Sequence, residues 1–149
     1  MDYGDVFERL EAGRVRYVVV GGMAVALHGH ERPTRDLDIV VDNAPREARR
    51  ATAALLSLGF VPSLPLPLEL LTVLRFTDAS RREVDAFARF RLPFEELWAA
   101  SEHLADAGGR PARVCSLEHL IRMKLLDGRP NDLQDVEALR AVSRSNGEG

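Results

Sequence analysis

The stretch VVVGGMAVALHGHERPTRDLDIVVD, Val18 to Asp42, decides how this chain folds. It begins as a β-branched apolar run, the signature of a buried strand. Gly21 and Gly22 break that run, and Met23–His28 reads as a short helix closed by Gly29. Leu37–Val41 is a second apolar strand, with Asp36 and Asp38 at its entrance. Residues two apart on a strand point to one face, so these carboxylates sit side by side. Like charges so placed repel, and aspartate is depleted in strands. An isolated Asp-x-Asp is more often a solvated turn. Here a glycine pair stands fourteen residues before Asp36, with strands on both sides, and that shifts the reading towards a site.

A divalent cation answers the repulsion. Mg²⁺ (or Mn²⁺) prefers oxygen ligands and binds through one or two carboxylates plus substrate phosphates. The glycines, lacking Cβ atoms, let backbone N–H groups approach an anion closely, and a helix starting at Met23 turns its positive end the same way. Two acids holding a metal beside a phosphate-binding turn are the parts of phosphoryl or nucleotidyl transfer. A third acid, Asp85, lies in Glu83-Val84-Asp85-Ala86-Phe87 on a later expected strand. Alternation places Glu83 and Asp85 on one face, making Asp85 the candidate third ligand or base and Glu83 the alternative. Arg32 and Arg35 flank the first acids, either to bind phosphate or to offset negative charge.

Outward from this centre, residues 2–12 read as an amphipathic helix with Val6, Phe7 and Leu10 on one side, and Arg46–Leu58 as a helix ending at Gly59. Pro62–Pro67 is a proline-punctuated loop whose leucines are suited to packing over a neighbour. Leu70–Phe76 and Arg82–Phe87 read as paired strands about a turn at Asp78-Ala79-Ser80. Glu95–Leu104 reads as a helix, with Trp98 in its core, and Ala112–Cys115 as a short strand. Ser116 caps a helix bearing Leu120, Ile121, Lys124 and Leu125. Asp127-Gly128-Arg129-Pro130 stops it, and Asn131 or Asp132 caps a last helix burying Leu133, Val136 and Leu139. The expected fold is therefore α/β (or α+β) with a mixed sheet. The expected organisation is a core over residues 1–112, a C-terminal helical appendage over 113–143, and a frayed tail over 144–149.

The chain has 149 residues and a formal net charge of −3, which disfavours broad nonspecific nucleic-acid binding. Lys124 is its sole lysine in an arginine-rich composition. One cysteine, Cys115, reads as a small buried side chain and fits a reducing compartment. The four histidines make no metal-ligand spacing with it, and His28 and His30 read as loop residues or substrate contacts. No segment approaches the ~20 apolar residues of a membrane span, so a cytoplasmic, non-membrane protein is expected.

Gly21-Gly22, then Thr34-Arg35-Asp36-Leu37-Asp38-Ile39, then Asp85, resembles the DNA polymerase β-type nucleotidyltransferase superfamily. The closest likeness is to small stand-alone bacterial nucleotidyltransferases of toxin–antitoxin and abortive-infection type. It covers residues 17–42 well and 82–88 loosely, and extends to LEHLIRMKLLDGRPNDLQDVEAL, Leu117–Leu139. The resemblance implies a polymerase β-like core and metal-dependent transfer of a nucleoside monophosphate from an NTP, such as ATP, to an acceptor hydroxyl. That acceptor is a tRNA end, a protein or a small molecule. It implies that Asp36, Asp38 and Asp85 hold the metals, that Gly21, Gly22 and Lys124 meet the triphosphate, and that Arg129 and Asp132 order the tail. Many relatives carry serine where this chain has Gly22. A chain this short lacks a large acceptor-holding domain, so a partner protein or homodimer fits. The alternative is a non-catalytic partner or antitoxin that keeps the fold and acts by protein binding.

Overall fold

The computed structural model describes residues 2–31 and 33–147, so Arg32 and the last two tail positions lie outside the described residues. The expected buried strand is β1, Tyr17–Val20, buried at all four positions. Its antiparallel partner is β2, Asp36–Val41, with Val20 opposite Asp38. Between them α2 spans Gly21–Leu27 and begins at Gly21, earlier than the expected Met23. Gly21 has φ +70°, a conformation that lets the strand turn into the helix without an intervening loop.

The remaining strands are β3 (Val61–Pro62), β4 (Val73–Thr77), β5 (Glu83–Phe87), β6 (Glu102–Ala105) and β7 (Pro111–Val114). Among the described residues they form one sheet in the order β3-β4-β5-β2-β1-β7-β6. The β2–β5 and β1–β7 pairs are parallel and the rest antiparallel, so the sheet is mixed, as expected. The other helices are α1 (Gly4–Ala12), α3 (Pro45–Ser57), α4 (Phe94–Ala100), α5 (Leu117–Asp127) and α6 (Pro130–Gly147). Val6, Phe7 and Leu10 of α1 are buried, and α1 packs against α3 and β7. α5 packs on α6 and also touches α2. No helix among the described residues is long and apolar enough to cross a membrane.

Several local expectations give way to tertiary context. The helix expected over Glu95–Leu104 stops at Ala100; Ser101 turns extended, and Glu102–Ala105 becomes an edge strand on β7. Pairing with β7 supplies hydrogen bonds that outweigh the weak helical preference there. The strand expected from Leu70 starts at Val73, because Pro67 leads into a 3₁₀ turn, Leu68–Leu70, that buries Leu68 and leaves Leu70 exposed. Leu64 and Leu66 of the proline loop are exposed rather than packed over a neighbour. Leu133 is exposed, and Asp132 and Asp135 take the buried positions of α6 beside Val136 and Leu139. Residues 144–147, expected to fray, continue α6, and the 112/113 boundary falls inside β7. Cys115 is buried, and burial pushes its thiol up to about 12.

Tyr3 ties the helical and sheet layers together. Its buried hydroxyl donates to the Arg35 carbonyl and accepts the Glu83 amide N–H at 3.2 Å, clamping the entrances of β2 and β5. Arg82 adds a second clamp, bonding Asp5 of α1 and Asp78 of the β4–β5 turn. Tyr3→Phe is expected to lower stability by about 1–2 kcal/mol through the unpaired Glu83 amide, measured by urea denaturation.

Candidate active site

Strand register builds the site. In the parallel β2–β5 pair Asp36 lies opposite Glu83, and Asp38 opposite Asp85. In the antiparallel β4–β5 pair Arg75 lies opposite Asp85. Paired positions share a face, and along β5 the buried Val84 and Ala86 alternate with half-buried Glu83, Asp85 and Phe87. One row therefore crosses four strands as Val20, Asp38, Asp85 and Arg75, with Asp36 and Glu83 one step along on the same face.

The charges on this face perturb one another. Burial pushes the Asp38 carboxyl up to about 6, and the neighbouring Asp85 and Asp36 push it the same way. Arg75 is the compensating cation. Its Nε donates to Asp85 Oδ1 at 2.8 Å and its Nη2 to Asp85 Oδ2 at 2.9 Å, a two-toothed pair. The same Nη2 reaches Asp36 Oδ2 at 3.3 Å, and Nη1 reaches Glu83 Oε2 at 2.7 Å. These contacts raise the guanidinium above its already high ordinary value, the Asp85 hydrogen bonds foremost.

Gly21 sits directly beside Asp38. A Cβ built on Gly21 would lie 2.5 Å from Asp38 Oδ2, so glycine is required here by crowding as well as by φ. At Gly22 a Cβ would meet the Thr34 methyl at 3.1 Å, so Thr34 fills part of the space that a serine would need. Both glycines, Asp38 and Lys124 line one cavity of about 290 Å³, whose apolar wall includes Phe87, Phe90, Leu120 and Met123. Lys124 Nζ is held 3.1 Å from Asp135 Oδ2 and 3.4 Å from Asp132 Oδ1, both acids buried. Arg129 Nε donates to Asp132 Oδ2 at 2.7 Å.

Arg35 is not brought to that cavity. It is exposed and lines a separate groove of about 610 Å³ with Asp36, Arg75, Arg81 and Glu83, beside the acids. His28 donates from Nε2 to the Cys115 carbonyl at 2.8 Å, tying the end of α2 to the end of β7, a structural contact. Trp98 is partly buried, stacked on Phe94 and flanked by Arg16 and Arg113. Arg75 and Asp135 carry roles that reading the sequence missed. The signal for Arg75 was present: an arginine between apolar Leu74 and Phe76, alternating as Asp85 does. For Asp135 it was the three-residue spacing from Asp132 on one helix face.

Among the described residues no three His, Cys, Asp or Glu side chains gather into a ready metal site. The donor set still fits a hard divalent cation. Every donor is a carboxylate oxygen, the acids repel one another, and a guanidinium nitrogen already bridges Asp36 and Asp85.

Two outcomes test this geometry. Because the folded Asp38 value lies above the ordinary carboxylate value, its charged form opposes folding. That penalty is full above about 6, shrinks as pH falls, and is gone below about 4. Asp38→Asn is therefore expected to stabilise the metal-free protein by about 2–3 kcal/mol at pH 7.5, and the gain should vanish near pH 4 in thermal melts. Gly21→Ala is expected to cost about 1–3 kcal/mol, from strain at positive φ and displacement of the Asp38 carboxylate, read by the same melts.

No curated protein matches the chain by sequence. Solved structures match its fold. A lincosamide antibiotic adenylyltransferase, LnuA, bound to lincomycin aligns at 18% identity and TM-score 0.59, over 91% of this chain and 92% of its own. ANT(2″)-Ia in complex with adenylyl-2″-tobramycin aligns at 17% identity and TM-score 0.61, over 95% and 94%. A Thermotoga maritima protein provisionally assigned as a nucleotidyltransferase aligns at 19% identity and TM-score 0.63, over 94% and 89%. The sheet and its flanking helices are thus a polymerase β-like nucleotidyltransferase fold. A family model described as "Nucleotidyltransferase of unknown function (DUF6036)" matches residues 5–146, nearly the whole chain, and the chain belongs to that family of nucleotidyltransferases.

Proposed function

We propose that this enzyme transfers a nucleoside monophosphate from an NTP to an acceptor hydroxyl and releases pyrophosphate, with Asp36, Asp38 and Asp85 as the metal-holding acids. The observation that carries the reading is the register of three carboxylates on one face, adjoining a cavity lined by Gly21, Gly22 and Lys124. A Mg²⁺ or Mn²⁺ ion held by these acids would neutralise phosphate charge and lower the pKa of the acceptor hydroxyl.

The chain's own residues divide the remaining work. Gly21 and Gly22 let the backbone approach the triphosphate without side-chain obstruction. The Lys124 ammonium, aimed by Asp132 and Asp135, faces the charge that develops on departing pyrophosphate. Phe90, Leu120 and Met123 offer an apolar wall for the nucleobase. The acceptor oxygen bonds to the α-phosphorus as the α–β bridging bond breaks, and Asp85 takes the hydroxyl proton on an Oδ atom.

The groove lined by Arg35, Arg75 and Arg81 together with Asp36 and Glu83 borders the acids away from the glycine cavity and is the candidate acceptor groove. Arg35 and Arg81, beside an Arg75 already held by the acids, favour an acceptor that carries phosphate, such as a tRNA 3′ end. On this reading Arg35 serves the acceptor rather than the NTP. A small-molecule acceptor is the second reading, favoured by the two structural neighbours seen with lincomycin and with adenylylated tobramycin. An RNA or protein acceptor from the host cell would make the chain a toxin component, and an antibiotic would make it a resistance enzyme. A partner chain or second copy would complete the hold on a large acceptor.

The test is titration calorimetry of each NTP with Mg²⁺, on the wild type and on Asp36→Ala/Asp38→Ala. Binding that requires both Mg²⁺ and the acids is expected. Metal-independent binding, or binding that survives loss of both acids, would sink the reading. Lys124→Met is expected to lower kcat and kcat/KM together by about tenfold or more while changing the NTP KM less, measured by pyrophosphate release.

A further inference from the structure

The acid cluster already contains a cation, and it belongs to the chain. Arg75 uses both oxygens of Asp85, and the nitrogen on Asp85 Oδ2 also stands 3.3 Å from Asp36 Oδ2. A third nitrogen is 2.7 Å from Glu83. An ion shared by Asp36 and Asp85 would have to take oxygens that this one guanidinium now holds. We propose that Arg75 is a built-in competitor for the metal: it neutralises the carboxylates of the empty site and is displaced when a divalent cation binds. The inference rests on the nucleotidyltransferase reading above and concerns how that site is filled.

Three features fit a displaceable cation better than a fixed structural bridge. The Arg75 side chain is 45% exposed, so it swings into water without losing a buried packing position. Its backbone is fixed by the β4–β5 ladder, so leaving the acids needs only side-chain rotation. It points towards the groove that also holds Arg35 and Arg81, which gives the released guanidinium an open place beside the acids. The two-toothed pair with Asp85, whose side chain is 15% exposed, makes eviction costly, and a divalent ion meets that cost with twice the charge and with nucleotide phosphates as further ligands.

The consequence is coupling. Metal alone must evict Arg75 and so binds weakly. Metal and NTP together share that cost, so each improves the affinity of the other. Arg75 is thereby a positioning residue that withholds Asp85 from the metal until nucleotide arrives.

The experiment is titration of the full chain with Mn²⁺ alone, followed by the electron-paramagnetic resonance of free Mn²⁺, and then with Mn²⁺ in the presence of a non-hydrolysable NTP. Wild type, Arg75→Ala, Arg75→Gln, Arg75→Lys and Arg75→Ala/Asp85→Asn are compared after their folding is checked by circular dichroism. Arg75→Ala and Arg75→Gln are expected to bind Mn²⁺ alone at least about tenfold more tightly, a difference of about 1.4 kcal/mol. Arg75→Lys should fall between, the Asp85→Asn addition should cancel the gain, and nucleotide should add less in the neutral variants than in wild type. Unchanged or weaker Mn²⁺ affinity in Arg75→Gln would overturn the proposal, even if Arg75→Ala fails to fold. If wild type binds Mn²⁺–NTP through the acids and only the Arg75 variants disappoint, the competitor role alone fails. If wild type binds no Mn²⁺–NTP, the nucleotidyltransferase reading fails with it.

Discussion

The structure is organised around the repulsion between carboxylates on one open sheet face. Asp38 and Asp85 are held opposite each other by the β2–β5 ladder, and Asp36 is two residues away on the same strand. Backbone hydrogen bonds set that spacing, so the side chains cannot relax apart without breaking register. Arg75 answers the resulting negative potential from β4, the raised proton affinity of Asp38 answers it in part, and the fit to a hard divalent cation follows from the same charge.

The other half of the site hangs on α5 and α6. Lys124 reaches the glycine cavity from α5, and two buried acids of α6 hold its ammonium. Replacing one carboxylate of such a buried cluster leaves the lysine partly uncompensated, so these ion pairs hold α6 against the core as well as aiming Lys124. The cavity wall is drawn from β1, β2, α2, β5 and α5 together, and α6 borders it through the acids that hold Lys124. The same interdependence explains why Leu133 lies exposed while Asp132 and Asp135 are inside.

Much of this was legible from residues alone, for physical reasons. Val18–Asp42 carries its fold in local chemistry: a β-branched run, a glycine pair and alternating acids admit few arrangements. Asp85 was legible because an acid between Val84 and Ala86 on a strand must face away from the core. The parts that were not legible depend on partners distant in sequence. Glu102–Ala105 is a strand because β7 lies beside it, and Ser101 gives no local warning of that. Arg35, one residue before β2, shares a groove with Asp36 and Glu83 rather than the cavity lined by Gly21, and the sequence does not reveal that the acids border two separate depressions. Arg75 shows in sequence only as an arginine alternating with Leu74 and Phe76; its pairing with Asp85 comes from cross-strand register, ten residues on and across a turn.

The central claim is that these carboxylates and the adjoining cavity direct an acceptor hydroxyl onto the α-phosphorus of an NTP. The most direct measurement follows the two ends of the nucleotide separately. The protein is incubated with Mg²⁺ and NTP labelled either at the α- or at the γ-phosphate, together with tRNA, protein and small-molecule acceptors. The result expected is α-label in an acid-stable adduct, γ-label in pyrophosphate, and loss of both on Asp85→Asn. Transfer of γ-label to the acceptor would make the chain a kinase and contradict the account, as would α-label transfer that survives Asp85→Asn.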